Sequence, residues 1–216
     1  MTVDCYGTLI DWDKGISEAF QREAAEDGLT LDIKSLLMRF YDLHYEVMGG
    51  SYELYAEVLR RAAVKAAAEV GWTLEPSRAQ FLPDSIGNWQ PFREANAAMD
   101  RLRAKYNLGI ISNIDDKLLG ISRRHLRTEL DLVVTAQQVR SYKPEPAHFK
   151  ECARRIGKKK GWVHITSGHY SDVEPLIKMR VPVIWINRRG QKLESGQKKP
   201  TVEVKNLRDA AKKLGC

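Results

Sequence analysis

The sequence predicts an α/β protein: a doubly wound, mostly parallel sheet with a helical cap inserted after the first strand. Three observations carry this. A short strand, Thr2-Val3, runs into a polar turn at Asp4-Cys5-Tyr6-Gly7-Thr8. From Trp12 to about Asn88 the apolar residues recur three and four apart with no strand between them. After Pro91 short apolar runs alternate with amphipathic helices, the pattern of strands buried on both faces by crossover helices.

The elements follow in order. The first strand is shorter than the ~5 residues usual for a central strand, which leaves open a natural start further upstream. Ile16–Ala25, Leu36–Met48 and Tyr52–Val70 read as helices of the cap. Beyond Pro91 the sequence predicts helix Phe92–Tyr106, strand Leu108–Ile111, helix Asp116–Leu126, strand Leu130–Val134 and helix Pro146–Ile156. Strands recur at Val163–Thr166 and Val183–Ile186. Residues 1–12 and 91–216 are therefore expected to form the α/β core and residues 13–90 the helical cap.

A chain of 216 residues accommodates one domain carrying such an insertion. Its apolar fraction of 43% and charged fraction of 29% argue against a disordered chain. Cys5, Cys152 and Cys216 are too few and too scattered for a disulfide framework or a zinc site, which points to a reducing, cytoplasmic location. The longest apolar stretch, Val181–Ile186, is too short to span a bilayer, so no membrane partner is expected. The net charge of +7 is uneven, with −5 in residues 13–90 and +12 in the remainder. The basic runs Lys158-Lys159-Lys160, Arg188-Arg189 and Lys198-Lys199 lie apart without interleaved aromatics, so they read as a solvated basic face and no nucleic-acid partner is expected.

In open parallel sheets ligands bind beyond the carboxyl ends of the strands. There the sequence places Asp4, Ser112-Asn113, Lys143 in the segment beyond Val134, and the stretch Ser167 to Asp172. Any one of these polar residues suits a helix cap or turn. Lys143 has no capping use before Pro144, yet its cation would keep a neighbouring carboxylate ionised, as nucleophilic attack requires. Ser112 and the backbone N–H groups at the next helix start form a seat for a carboxylate or phosphate.

These residues resemble the haloacid dehalogenase superfamily, and within it the type II 2-haloacid dehalogenases. Asp4-Cys5-Tyr6-Gly7-Thr8-Leu9 is similar to the first motif, Ile111-Ser112-Asn113 to the second, Tyr142-Lys143-Pro144 to the third and Ser167-Gly168-His169-Tyr170-Ser171-Asp172 to the fourth. Trp185-Ile186-Asn187-Arg188 is also similar to that group. Most of the superfamily are magnesium phosphatases with a second Asp two residues after the nucleophile, where this chain has Tyr6. The resemblance thus implies a Rossmann-like core and hydrolytic dehalogenation of a short 2-haloalkanoic acid, with no metal and no cofactor. It implies Asp4 as nucleophile, Arg39 from the cap as halide acceptor, and Thr8, Lys143, Ser112 and Asp172 as the supporting polar groups. Tyr6, Phe40, Leu43 and Tyr55 would supply an apolar wall, with Asn113, Ser167 and His169 near the substrate. A homodimer is a further expectation of the resemblance. The chain departs from the best-known pattern at Phe149, His169 and Ser171, which puts the substrate in doubt more than the reaction type. The alternatives are a magnesium-dependent phosphatase of a small metabolite and a non-catalytic binding protein of the same fold.

Overall fold

A computed structural model describes residues 1–157 and 161–216, so the Lys158-Lys159-Lys160 run of the expected basic face lies outside the described residues. The chain opens with β1 (Thr2–Val3), followed by helices α1 (Trp12–Glu26), α2 (Ile33–Met48), α3 (Tyr55–Glu69) and the short α4 (Phe81–Ser85). Then come α5 (Ala95–Arg103), β2 (Gly109–Ser112), α6 (Asp116–Ser122), β3 (Leu132–Thr135), α7 (Ala136–Val139) and α8 (Ala147–Ile156). The last part holds β4 (His164–Thr166), α9 (Glu174–Lys178), β5 (Val183–Ile186), β6 (Val202–Val204) and α10 (Leu207–Lys213).

The six strands form one parallel sheet in the order β3-β2-β1-β4-β5-β6. β1 is two residues long and still holds the centre, because Thr2 and Val3 pair with Gly109 and Ile110 on one side and with His164 and Ile165 on the other. β2 and β3 are laid down on one side of β1 and β4 to β6 on the other, so the strand order reverses at β1 and a crevice opens at its carboxyl end. Apolar side chains in the strands, among them Val3, Ile110, Ile165 and Ile184, are buried.

The expected helical insertion is present as α1 to α4. Asp11 accepts from the Lys14 backbone N–H and starts α1, and Asp32 does the same for Lys34 and Ser35 at the head of α2. α3 buries Ala62, Ala63, Ala66 and Ala67, small side chains that bring its axis close to its neighbours. Phe20, Phe40, Trp72 and Phe81 fill the space between the helices with edge-on ring contacts. α1 lies against Trp89 so closely that a Cβ on Gly15 would stand 2.4 Å from the indole ring.

The structure differs from the sequence reading at one helix start and in two further elements. The helix expected to begin at Phe92 begins at Ala95, and the Phe92 N–H bonds the Leu9 carbonyl instead. β6 and α10 were not anticipated: Val-Glu-Val is too short to show periodicity, and it is a strand because β5 offers it a paired edge.

Candidate active site

Asp4 follows β1 directly and is buried. The chain turns sharply after it, with Gly7 at φ +81° and the Cys5 carbonyl accepting from the N–H groups of Leu9 and Ile10 at 2.7 and 3.0 Å. This turn folds Thr8 back, so that its hydroxyl donates to Asp4 Oδ2 at 2.8 Å. Thr8 Oγ1 in turn accepts the Ser167 backbone N–H at 2.9 Å, which ties the end of β4 to the turn after β1.

Lys143 comes from the loop between α7 and α8, and Asn113 holds its backbone. The Lys143 N–H donates to Asn113 Oδ1 at 2.7 Å, and Asn113 Nδ2 donates to the Lys143 carbonyl at 3.1 Å. The buried ammonium donates to Asp4 Oδ1 at 2.8 Å, Asp172 Oδ1 at 2.8 Å and the Ile111 carbonyl at 3.3 Å, one acceptor for each of its hydrogens. Asp172 lies in the π-helical turn His169–Val173, which brings its side chain under the ammonium, and Ser171 Oγ donates to its other oxygen.

The electrostatics follow from burial of three charges together. Burial alone would lower Lys143, yet Asp172 and Asp4 outweigh it and hold the ammonium well above its ordinary range. Burial pushes Asp172 up, but Lys143 and His164 pull its carboxyl well below the usual aspartate range. For Asp4 burial wins and raises the carboxyl, with Lys143 pulling it back and Asp172 adding to the rise. Asp4 is thus the more basic of the two carboxylates and the less deeply buried. Tyr6, two residues on, has its phenol pushed well up by burial and cannot supply a proton near neutrality; its hydroxyl pairs with Ser122 Oγ at 2.6 Å.

All four carboxylate oxygens of Asp4 and Asp172 already accept from protein donors. Among the described residues no group of three or more His, Cys, Asp or Glu side chains is gathered where it could hold a metal ion.

The structure brings Asp4, Thr8, Lys143, Asp172 and Ser167 together. Ser112 is buried at the carboxyl end of β2, while Asn113 braces Lys143 through its backbone rather than facing a substrate. Five expected residues make their contacts outside this cluster. Arg39 lies on the exposed side of α2, where its guanidinium donates to Glu69 at 2.7 Å, because α3 offers a carboxylate directly across from it. Leu43, one turn further on, shares that outer face beside Lys65 and Ala68. Phe40 points the other way, into the helical core between Trp12 and Phe20. His169 turns from the cluster, bonding the Lys198 carbonyl at 2.9 Å with its ring against Trp185. Tyr55 is buried, with its hydroxyl 2.9 Å from His44 Nε2.

Three residues that the sequence reading passed over belong to the site. Tyr45, on the same helix as Arg39, lines a crevice together with Lys143, and its partial burial raises its phenol. Asp115 follows β2 and accepts the backbone N–H groups of Tyr55 and Ala56 at 2.7 and 2.9 Å, docking the first turn of α3 over the sheet. His164, fully buried in β4, places Nε2 3.1 Å from Asp172 Oδ1 and Nδ1 2.7 Å from Thr2 Oγ1, which accepts from Trp162 Nε1 at 2.8 Å. Because a carboxylate only accepts, Nε2 carries the hydrogen, so the ladder Trp162, Thr2, His164 ends by holding Asp172. A histidine inside a three-residue buried strand, in register with a threonine of the neighbouring strand, was the available signal.

Comparison with known proteins bears on the family and the fold. The family model for haloacid dehalogenase-like hydrolases matches residues 1–178. The (S)-2-haloacid dehalogenase of Pseudomonas putida is 26% identical over 210 residues, covering 94% of this chain and 91% of that protein. The (S)-2-haloacid dehalogenase 4A of Burkholderia cepacia is 26% identical over 194 residues, covering 87% and 82%. Among solved structures, the L-2-haloacid dehalogenase of Xanthobacter autotrophicus with chloropropionic acid covalently bound superposes with a TM-score of 0.86 at 17% identity, covering 99% of this chain and 97% of that one. A hydrolase of Bacillus subtilis bound to magnesium gives 0.84 at 14% identity, covering 100% and 97%. At these identities the superpositions speak for the fold. The match of the family model over most of the sequence shows that this chain belongs to the haloacid dehalogenase-like hydrolases.

Proposed function

We propose that the protein hydrolyses the carbon–halogen bond of a 2-haloalkanoic acid, giving the 2-hydroxy acid through an ester on Asp4. The observation that carries this reading is the pairing of Asp4 with Lys143 at 2.8 Å beside a tyrosine, rather than an acid, two residues on. A carboxylate oxygen of Asp4 forms a bond to the second carbon, and the halide departs with the electron pair of the bond that breaks. A halide needs no proton to leave, which suits Tyr6. Water then adds to the ester carbonyl and the bond from that carbon to the substrate oxygen breaks; one proton of the water goes to the departing oxygen to give the 2-hydroxy acid, the other is released to solvent, and the carboxylate of Asp4 is restored. Lys143 and Thr8 hold the two Asp4 oxygens in a fixed direction, so the displacement begins from an oriented carboxylate. Lys143 contacts this cluster directly, whereas Arg39 pairs with Glu69 at the surface, so this reading assigns the reaction's cation to Lys143. Asp172 and His164 keep the ammonium in place.

The names of the relatives support the substrate class. In this reading residues 13–90 are the cap over a core of residues 1–12 and 91–216. The three free cysteines, two of them buried, suit a reducing cytoplasm, and a homodimer is carried as a proposal that sedimentation tests. The function itself is tested by chloride release from 2-chloropropionate, with mass spectrometry of protein quenched during turnover. The expected result is an added propionate mass on the peptide holding Asp4, lost together with turnover in Asp4→Asn. A panel of chloro, bromo and fluoro acids that yields no halide from neutral to alkaline pH overturns it.

A further inference from the structure

Between the carboxyl end of α2 and the loop from Arg140 to Glu145 lies a crevice of about 380 Å³. Tyr45, Met48, Tyr52, Tyr142 and Tyr170 line it together with Lys143. Since Lys143 also contacts Asp4 and Asp172, and their charges act on the Tyr45 phenol, the crevice adjoins the carboxylate cluster. Its size falls among pockets of roughly 300–1,000 Å³ that enclose drug-sized ligands, far more than the few heavy atoms of 2-chloropropionate.

The walls are aromatic. The Tyr45 and Tyr170 rings meet edge-on at 5.9 Å, and the Tyr52 and Tyr142 rings lie 5.5 Å apart. Tyr45 and Tyr170 remain 42% and 60% exposed, a large apolar area for side chains beside a buried charged cluster. The Tyr52 hydroxyl is shielded from water and has no protein partner among the described residues. Arg140 and Glu145 both line the outer edge, so that edge presents both signs of charge and does not select a second anionic group. The Arg140 guanidinium leans over the Tyr52 ring at 5.5 Å.

We propose that this crevice receives an aromatic ring carried on the third carbon of the substrate, so that the preferred substrates are monoanionic 2-haloacids of the 3-arylpropionate type rather than the shortest ones. The proposal rests on the reading of Asp4 as a nucleophile toward 2-haloacids. The ring meets tyrosine edges and the Met48 thioether, while the substrate carboxylate remains at the strand ends.

The test separates ring binding from turnover. Calorimetry of the full-length protein with 3-phenyllactate and with lactate is expected to show binding at least about tenfold tighter for the aryl acid, since even one methylene group in an apolar pocket is worth roughly 10–200-fold. Tyr170→Ala removes an exposed wall residue and is expected to reduce that ratio several-fold. Equal affinities, or a ratio that Tyr170→Ala leaves untouched, overturn the proposal. Chloride release from 2-chloro-3-phenylpropionate and 2-chloropropionate is then compared. Higher kcat/KM for the phenyl substrate supports the assignment, and a preference for chloropropionate overturns it while leaving the halide chemistry intact. If the binding ratio holds but neither acid releases chloride, the ring site stands and the dehalogenase reading falls.

Discussion

Replacing Lys143 by Met tests whether one buried ammonium holds the cluster together. The ammonium is 2% exposed and stands 2.8 Å from each of two carboxylates, themselves 9% and 0% exposed. At that distance each contact is worth about 6 kcal/mol in an effective dielectric of about 20, most of it offset by the cost of taking the charges out of water. Methionine fills similar volume but leaves two buried carboxylates facing each other, and such a truncation costs about 3–5 kcal/mol. For a chain of this length that is a fall in Tm on the order of 10 °C at neutral pH.

The sign of the pH dependence identifies the cause. In the native protein the carboxyl of Asp172 is depressed, so its contribution is present above its unfolded value of ~3.9 and lost as pH falls through the folded one. In Lys143→Met the folded carboxyls rise above their unfolded values, and each binds its proton more tightly in the folded state. The penalty is therefore full at neutral pH and shrinks as pH falls toward 5, by up to about 1.4 kcal/mol per unit for each proton taken up. Urea denaturation of both proteins between pH 8 and 5 measures this. A penalty of constant size across that range refutes the electrostatic account and leaves only lost packing.

Four further outcomes are expected. Arg39→Gln should change kcat/KM for chloride release by less than about twofold and stability by less than ~1 kcal/mol, because it breaks an exposed pair with Glu69; a large loss of kcat would return Arg39 to the chemistry. Asp115→Ala should cost about 1–2 kcal/mol and lower Tm by a few degrees, since the Tyr55 and Ala56 N–H groups lose their acceptor at the start of α3; an unchanged melting curve would contradict that docking role. The rate of ester formation should fall on the acid side through a value above aspartate's ordinary ~3.9, because burial favours the protonated, unreactive form of Asp4; stopped-flow turnover against pH reads that limb. His164→Leu should lower kcat by about tenfold to a hundredfold, with KM moving less and His164→Gln recovering part of the loss, as misplacement of Asp172 and Lys143 predicts; an equal loss in both variants would point to packing alone.

The fold class was legible because it depends on periodicity and burial. Alternating buried strands and amphipathic helices after Pro91, and unbroken helical spacing before it, allow few architectures, and the same patterns put Asp4 and Ser112 at strand ends and the segments carrying Lys143 and Asp172 beyond them. The face a helical residue presents was less legible. Arg39 and Phe40 are neighbours in sequence, yet one pairs with Glu69 in solvent and the other is enclosed by Trp12 and Phe20. Spacing gives relative positions around a helix, while the rotation of that helix is chosen by what α1 and α3 press against it.

By itself the sequence determined the order of the strands through β5 and the carboxylate that follows the first of them, since these depend on local pattern and chain connectivity. Tertiary structure alone decided which cation enters the cluster, that His164 and Thr2 support Asp172 across paired strands, and that tyrosines from distant segments line one crevice. Those contacts join residues separated by up to 162 positions, and only the packing of the sheet and its helices sets the distance between them.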